Sequence, residues 1–284
     1  MKIIDTASLF VRDYEPTIAY LDNFYARHAD EYAHYFERHC LNSEEKKKKA
    51  IHKHPEKLQD ILPMRDLFFE EIPRITRAYE EMFPVTFTKD VHLFVGLYVS
   101  NAFTYRQCNP EVGFCLEKLP YNRKHIQLIT AHEFGHATHH IYNDAHETDW
   151  EKVDWLSPLT WLLQEGIATY LSMQLVEADF DEYFAYEEDK EWIQFVLENE
   201  VQIAKRLFDD IKSGMDPGRL MKEWFSINGG SYFNYTRLAY YIGYKIVERL
   251  AEQYSMEEVF TLWVTDGFQE EMLDGLSELA KSVD

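Results

Sequence analysis

The run QLITAHEFGHATHHIY sets His132 and His136 four residues apart, with Glu133 directly after the first histidine. On a helix rising about 1.5 Å per residue, side chains at that spacing share one face, about 6 Å apart along the axis. Two imidazoles so placed can reach one zinc ion at roughly 2.1 Å each. Glu133 is offset around the helix and is not expected to ligate. It is placed instead to take a proton from water at the metal, the general-base role in metal-assisted hydrolysis. An ordinary amphipathic helix can carry the same five residues, but the flanks favour the metal. Ile129, Thr130, Ala131, Phe134, Gly135, Ala137 and Thr138 are all uncharged. The helix therefore reads as buried, and imidazoles and a carboxylate in a core are costly without a partner.

A catalytic zinc needs three protein ligands and an open fourth position. His139 and His140 follow at once, but His140 lies about 12 Å along a straight helix from His132, beyond the span of one ion. A chain turning after the motif would need glycine at position 139 and histidine at 142, where His139 and Tyr142 stand. Glu165, in WLLQEGIATYLS, is the better third ligand. It sits on the next helical stretch among Leu162, Leu163, Ile167 and Ala168, and Gly166 beside it lets another helix come close. Asp144, Glu147, Asp149 and Asp154 have polar neighbours and fit less well.

HEFGH followed by EGIA on a second helix resembles the gluzincin metallopeptidases. That resemblance implies a thermolysin-like catalytic core, one zinc ion held by His132, His136 and Glu165, and Glu133 as base. The 28 residues from 137 to 164 form a longer separation than in thermolysin-like enzymes, and Thr169 stands where those enzymes have a supporting aspartate. The stretch YYIGYKIV is similar to the Tyr-x-x-Gly segment of the aminopeptidase N and leukotriene-hydrolase group. It implies Tyr240 as the oxyanion-stabilising phenol, with Tyr241 and Tyr244 in reserve. HEFGH with His139 three residues on also resembles the thimet-type oligopeptidases. Taken together, residues 85–255 look most like a bacterial family of predicted zinc-dependent proteases.

The resemblance implies a peptide or small-protein substrate and an endo- or oligopeptidase. The aminopeptidase alternative lacks the group's amine-gripping Gly-x-Met-Glu-Asn strand. VGFCLEKLP (residues 112–120) reads as an edge strand able to pair with an extended peptide, and Glu117 within it is a candidate contact for an amine. The remaining alternatives are a zinc-binding regulator or partner protein without proteolytic activity, and zinc hydrolysis of a non-peptide amide or epoxide.

These residues must be held by surrounding elements. Residues 15–39 carry apolar positions at helical spacing, and Pro63 opens a second helical stretch, residues 64–83, that its internal Pro73 should kink or divide. Residues 85–99 and 112–120 are β-branched and aromatic, and read as a small sheet. From residue 122 onward the chain reads as helical: 122–142, then a segment capped by Ser157 with Pro158 at its first position, then 188–213, 217–226 and 235–253. A capping box, Ser255 with Glu258, starts another helix. The expected fold is α+β and predominantly helical, with a small mixed sheet against the HExxH helix. The expected organisation is one compact chain: helices over residues 1–84, the sheet over 85–120 and a helical catalytic region over 121–284.

The 284 residues carry 29 Lys+Arg against 50 Asp+Glu, a formal charge of −21. So acidic a chain is not expected to bind nucleic acid or an anionic membrane. The basic run at residues 46–49 follows two glutamates and reads as a solvated helix face. No stretch approaches the roughly 18 apolar residues of a membrane span, and the N-terminal residues lack a signal-peptide core. Cys40, Cys108 and Cys115 are too few for a disulfide framework, although Cys108 and Cys115 could bridge a hairpin. A cytoplasmic protein is expected.

Overall fold

The computed structural model describes residues 1–185, 189–227 and 229–281. It is α+β and predominantly helical, with one small mixed sheet. The chain forms two compact units, Met1–Ala137 and Thr138–Asp284. Their boundary falls inside a helix, so no linker composition marks it.

The first unit opens with β1 (Ile3–Asp5), α1 (Thr6–Asp13), α2 (Ile18–Arg27), α3 (Ala29–His34) and a π-helical turn, Tyr35–His39. The long helix α4 (Ser43–Met82) follows, then β2 (Val91–Phe94), β3 (Ala102–Thr104) and β4 (Val112–Cys115). A 3-10 turn (Leu116–Lys118) leads to α5 (Arg123–Ala145), which runs on into the second unit.

The sheet order is β1-β2-β4-β3, with β1–β2 and β2–β4 parallel and β3–β4 antiparallel. Two expectations fail here. The fourth strand comes from residues 3–5, not from 85–120. And VGFC is an interior strand, hydrogen-bonded on both sides, so it offers no edge to a peptide. Its four residues are all buried, the mark of a strand covered on both faces. The outer strands are β1 and β3.

α4 also departs from expectation, running 40 residues through Pro55, Pro63 and Pro73 without a break. Each proline removes one backbone donor. Ile61, Met64, Phe68, Ile72, Ile75 and Tyr79 nevertheless form an unbroken buried stripe at helical spacing, and tertiary burial outweighs the lost bonds. Phe68 packs on Phe114 of β4 with ring centroids 4.5 Å apart. Buried Glu71 accepts hydrogen bonds from Arg123 (2.8 Å) and Gln127 (2.9 Å), tying α4 to the start of α5. Tyr79 adds a hydroxyl donated to the carbonyl of Ala131 at 2.8 Å. The 46–49 run lies on the first turns of α4, where Lys47 pairs with Asp22 and Glu44. Cys40 and Cys115 are buried free thiols, which removes the hairpin bridge.

The second unit holds α6 (Pro158–Leu175), α7 (Glu182–Ala185), α8 (Lys190–Lys212), α9 (Pro217–Leu220), α10 (Leu238–Gln253), α11 (Met256–Thr261) and α12 (Phe268–Leu279). Glu188, where a helix was expected to begin, lies outside the described residues. Ser157 caps α6 and Asp189 caps α8 through their side chains, and both arms of the Ser255–Glu258 box are formed. α6 and α10 meet at glycines. A Cβ on Gly166 would stand 2.2 Å from the carbonyl oxygen of Gly243, and one on Gly243 would stand 2.5 Å from that of Leu162. Among the described residues no helix is long and apolar enough to cross a membrane.

Candidate metal centre

α5 carries the HEFGH residues in its middle. Its hold on α4 through Arg123, Gln127 and Ala131 fixes its rotation before the motif begins. Phe134 packs edge-on against Phe87, with centroids 5.1 Å apart. His132 is 2% exposed and Glu133 7%, while His136 and Glu165 are partly exposed. The Nε2 atoms of His132 and His136 lie 3.2 Å apart, their rings nearly perpendicular at 87°. Two nitrogens bound to one tetrahedral ion at ~2.1 Å stand about 3.4 Å apart, so this spacing suits a shared ion. Ligand atoms of His132, His136 and Glu165 all lie within 4.8 Å of one another. Two imidazoles and a carboxylate are a hydrolytic zinc donor set, so the residues present fit the ion.

Glu133 meets the sheet through Thr104 at the end of β3. The Thr104 hydroxyl lies 2.9 Å from both Glu133 Oε2 and the Glu133 carbonyl oxygen. One hydroxyl proton serves two acceptors on the same residue, which holds the carboxylate against its own backbone. Nothing in the sequence singled out Thr104, because its role depends on where β3 ends relative to α5.

The other candidates separate. Tyr240 lies in the first turn of α10, half-buried. Tyr241 and Tyr244 are buried, and their hydroxyls donate to Glu200 and Glu248 respectively. Burial and the adjacent carboxylates hold both phenols protonated, well above the usual phenol range. His139 is fully buried beside Trp263, with Nε2 2.8 Å from the carbonyl oxygen of Phe260. A carbonyl only accepts, so that nitrogen carries the proton and is not a metal donor. His140 Nε2 faces Gln164 at 3.1 Å.

Glu117 is 2% exposed, and its Oε1 accepts the Tyr98 N–H at 3.1 Å. Burial pushes its carboxyl up to about 7. It braces the chain at Gly96 and Tyr98 and is shut off from any substrate amine. Thr169 is fully buried.

Compared with protein-family models, with curated proteins and with solved structures, the chain matches none.

Proposed function

We propose that the chain is a zinc-dependent peptide hydrolase of the gluzincin kind, built on a thermolysin-like core. The observation that carries the reading is the convergence of ligand atoms from His132, His136 and Glu165 within 4.8 Å. Zinc held by these three would polarise the peptide carbonyl and lower the pKa of water.

The chain's own residues supply the rest. Glu133, oriented by Thr104, takes the proton of the attacking water and later returns it to the leaving amine. The Tyr240 hydroxyl donates to the carbonyl oxygen as negative charge grows there; Tyr241 and Tyr244 are already committed to carboxylates. An extended peptide would pair with the outer edge of β3, the strand that carries Thr104. Endo- or oligopeptidase action fits better than aminopeptidase action, because buried Glu117 is not available to hold an amine. The reduced thiols of Cys40 and Cys115 suit a cytoplasmic location.

The test compares wild type with Glu133→Gln on a mixed peptide library, with bound metal measured in each. The expected result is cleavage by wild type, with stoichiometric zinc in both proteins and no cleavage by the variant. A wild type that cleaves nothing, or a variant that cleaves equally well, defeats the hydrolase reading. Stoichiometric zinc retained by Glu165→Ala defeats that ligand assignment.

A further inference from the structure

Side chains alternate along a strand, so Thr104 meets Glu133 on one face of β3 while its chain neighbours, Phe103 and Tyr105, face the other way. Both of those rings are buried, and they stack on each other with centroids 5.5 Å apart. Each is also covered by an imidazole. His39, the last residue of the π-helical turn, stacks on Phe103 at 4.1 Å and 23°. His34, the last residue of α3, stacks on Tyr105 at 4.0 Å and 14°. The residues before and after Thr104 are thus each gripped by a histidine from one short segment.

Backbone pairing alone holds β3 weakly. Among the described residues it is an outer strand of three residues, paired with β4. Gly113, opposite Phe103, offers no side chain to lean on, and a Cβ there would stand 2.9 Å from the Phe103 ring. Phe103 therefore takes its support from other rings: Phe94 at 6.0 Å, Tyr35 at 6.3 Å and His39. Tyr105 meets His92 as well, at 5.7 Å. The gripping segment is itself anchored. The Tyr35 hydroxyl accepts the Leu97 N–H at 2.7 Å, and the Tyr32 hydroxyl donates to the Val95 carbonyl at 3.1 Å. His39 Nδ1 lies 3.2 Å from the Ser100 hydroxyl, just before β3. The imidazole packs its face on Phe103 and ties its edge to the chain that leads into the strand. Burial pushes His39 down to about 4 and His34 below the ordinary histidine value. Both rings are therefore neutral at pH 7 and stack without an uncompensated charge.

We propose that His34 and His39 are positioning residues of the hydrolytic site: by gripping Tyr105 and Phe103 they hold β3 where the Thr104 hydroxyl meets Glu133. The catalytic meaning of this hold rests on the function proposed above; the hold itself rests on the ring geometry. A hydroxyl hydrogen bond spans about 2.5–3.0 Å, so a shift of β3 by about half an ångström is enough to break it.

The test uses the full-length zinc-loaded protein on one peptide that wild type cleaves, with Thr104 present and with Thr104→Val. His39→Ala and His34→Ala should each lower kcat about tenfold when Thr104 is present. With Thr104→Val the same changes should cost less than about twofold, because the link they protect is already gone. His39→Phe keeps the stacked face and should restore most of kcat; His39→Leu, which has no ring face, should not. Equal losses with and without Thr104, unchanged kcat in the alanine variants, or rescue by leucine as complete as by phenylalanine overturns the positioning role. Hydrogen exchange over residues 101–106 needs neither activity nor metal. The Tyr105 amide donates to the Glu111 carbonyl at 2.9 Å. It should exchange about tenfold faster in both alanine variants than in wild type or His39→Phe, and unchanged exchange overturns the hold. His34 is only partly buried, so His34→Ala decides if His39→Ala does not fold. If wild type cleaves no peptide while exchange rises in the alanine variants, the hydrolase reading falls and the hold on β3 stands. Glu133-dependent cleavage with unchanged exchange and unchanged kcat gives the reverse.

Discussion

The hydroxyl of Thr104 lies 2.9 Å from the Glu133 carboxylate and 2.9 Å from the Glu133 carbonyl oxygen, so one side chain on the sheet sets the direction of the proposed base. Thr104→Val keeps the shape and removes the donor. It should lower peptide cleavage by about 10- to 100-fold, the usual cost of losing an orienting partner, while bound zinc is unchanged. Thr104→Ser should restore most of the rate. Steady-state assays on the four-protein set of wild type, Thr104→Val, Thr104→Ser and Glu133→Gln check this. A Thr104→Val rate equal to wild type removes the positioning role.

Metal binding should show in stability, because an ion that binds only the folded chain stabilises it. At a free zinc concentration 100 times the dissociation constant the gain is about 2.7 kcal/mol. Thermal melts with and without chelator should separate by several degrees for wild type. The separation should shrink in Glu165→Gln and vanish in a His132→Ala, His136→Ala double variant. Equal separation in all three proteins would place the ion elsewhere.

Glu117 predicts a pH effect of unusual sign. Its carboxyl is pushed from 4.5 up to about 7 by burial beside Tyr98 and Lys118. In the folded chain it stays protonated where the unfolded chain has already ionised. Its contribution to stability is complete below about pH 4.5 and is lost as pH rises to about 7, by about 3 kcal/mol in total. Buried His54, lowered to about 4, acts in the opposite direction and gains stability as pH rises from about 4 to 6.5. Denaturant melts of wild type and Glu117→Gln from pH 4.5 to 8 isolate the carboxyl. The variant should gain on wild type as pH rises, and parallel curves would contradict the assignment.

The contact of α6 with α10 leaves no room for a methyl group. Gly166→Ala sets a Cβ 2.2 Å from a backbone oxygen, which only backbone movement can relieve. Overpacking of that kind costs about 1–3 kcal/mol, and the same movement shifts Glu165. Lower stability together with weaker zinc binding is expected in calorimetry of Gly166→Ala. Full stability would mean that the helices meet elsewhere.

Local chemistry in this chain was legible in its residues. Ser157 with Pro158, and Ser255 with Glu258, announce the helix starts they form. The helical pattern around HEFGH placed α5 and α6 correctly, and apolar neighbours drew attention to Glu165. Long-range decisions were not legible. Three residues are too few to show strand periodicity, so β1 passed unnoticed. The prolines of α4 looked like interruptions because the buried stripe that overrides them depends on tertiary contacts. VGFC looked like an edge because nothing in its residues says that β3 folds back beside it. Thr104 was missed for a related reason: it is defined by a hydroxyl reaching another element, which is not a property of sequence.

The pairing of Ile3 with Val91 has a consequence for the order of synthesis. Residues 3–5 leave the ribosome before α1 to α4, and their partner strand emerges only after the whole of α4. Helices α1 to α4 have local hydrogen bonds and can form as they appear, whereas β1 must wait with its backbone unpaired. β1, made before α1 to α4, is therefore among the last elements of its unit to be secured.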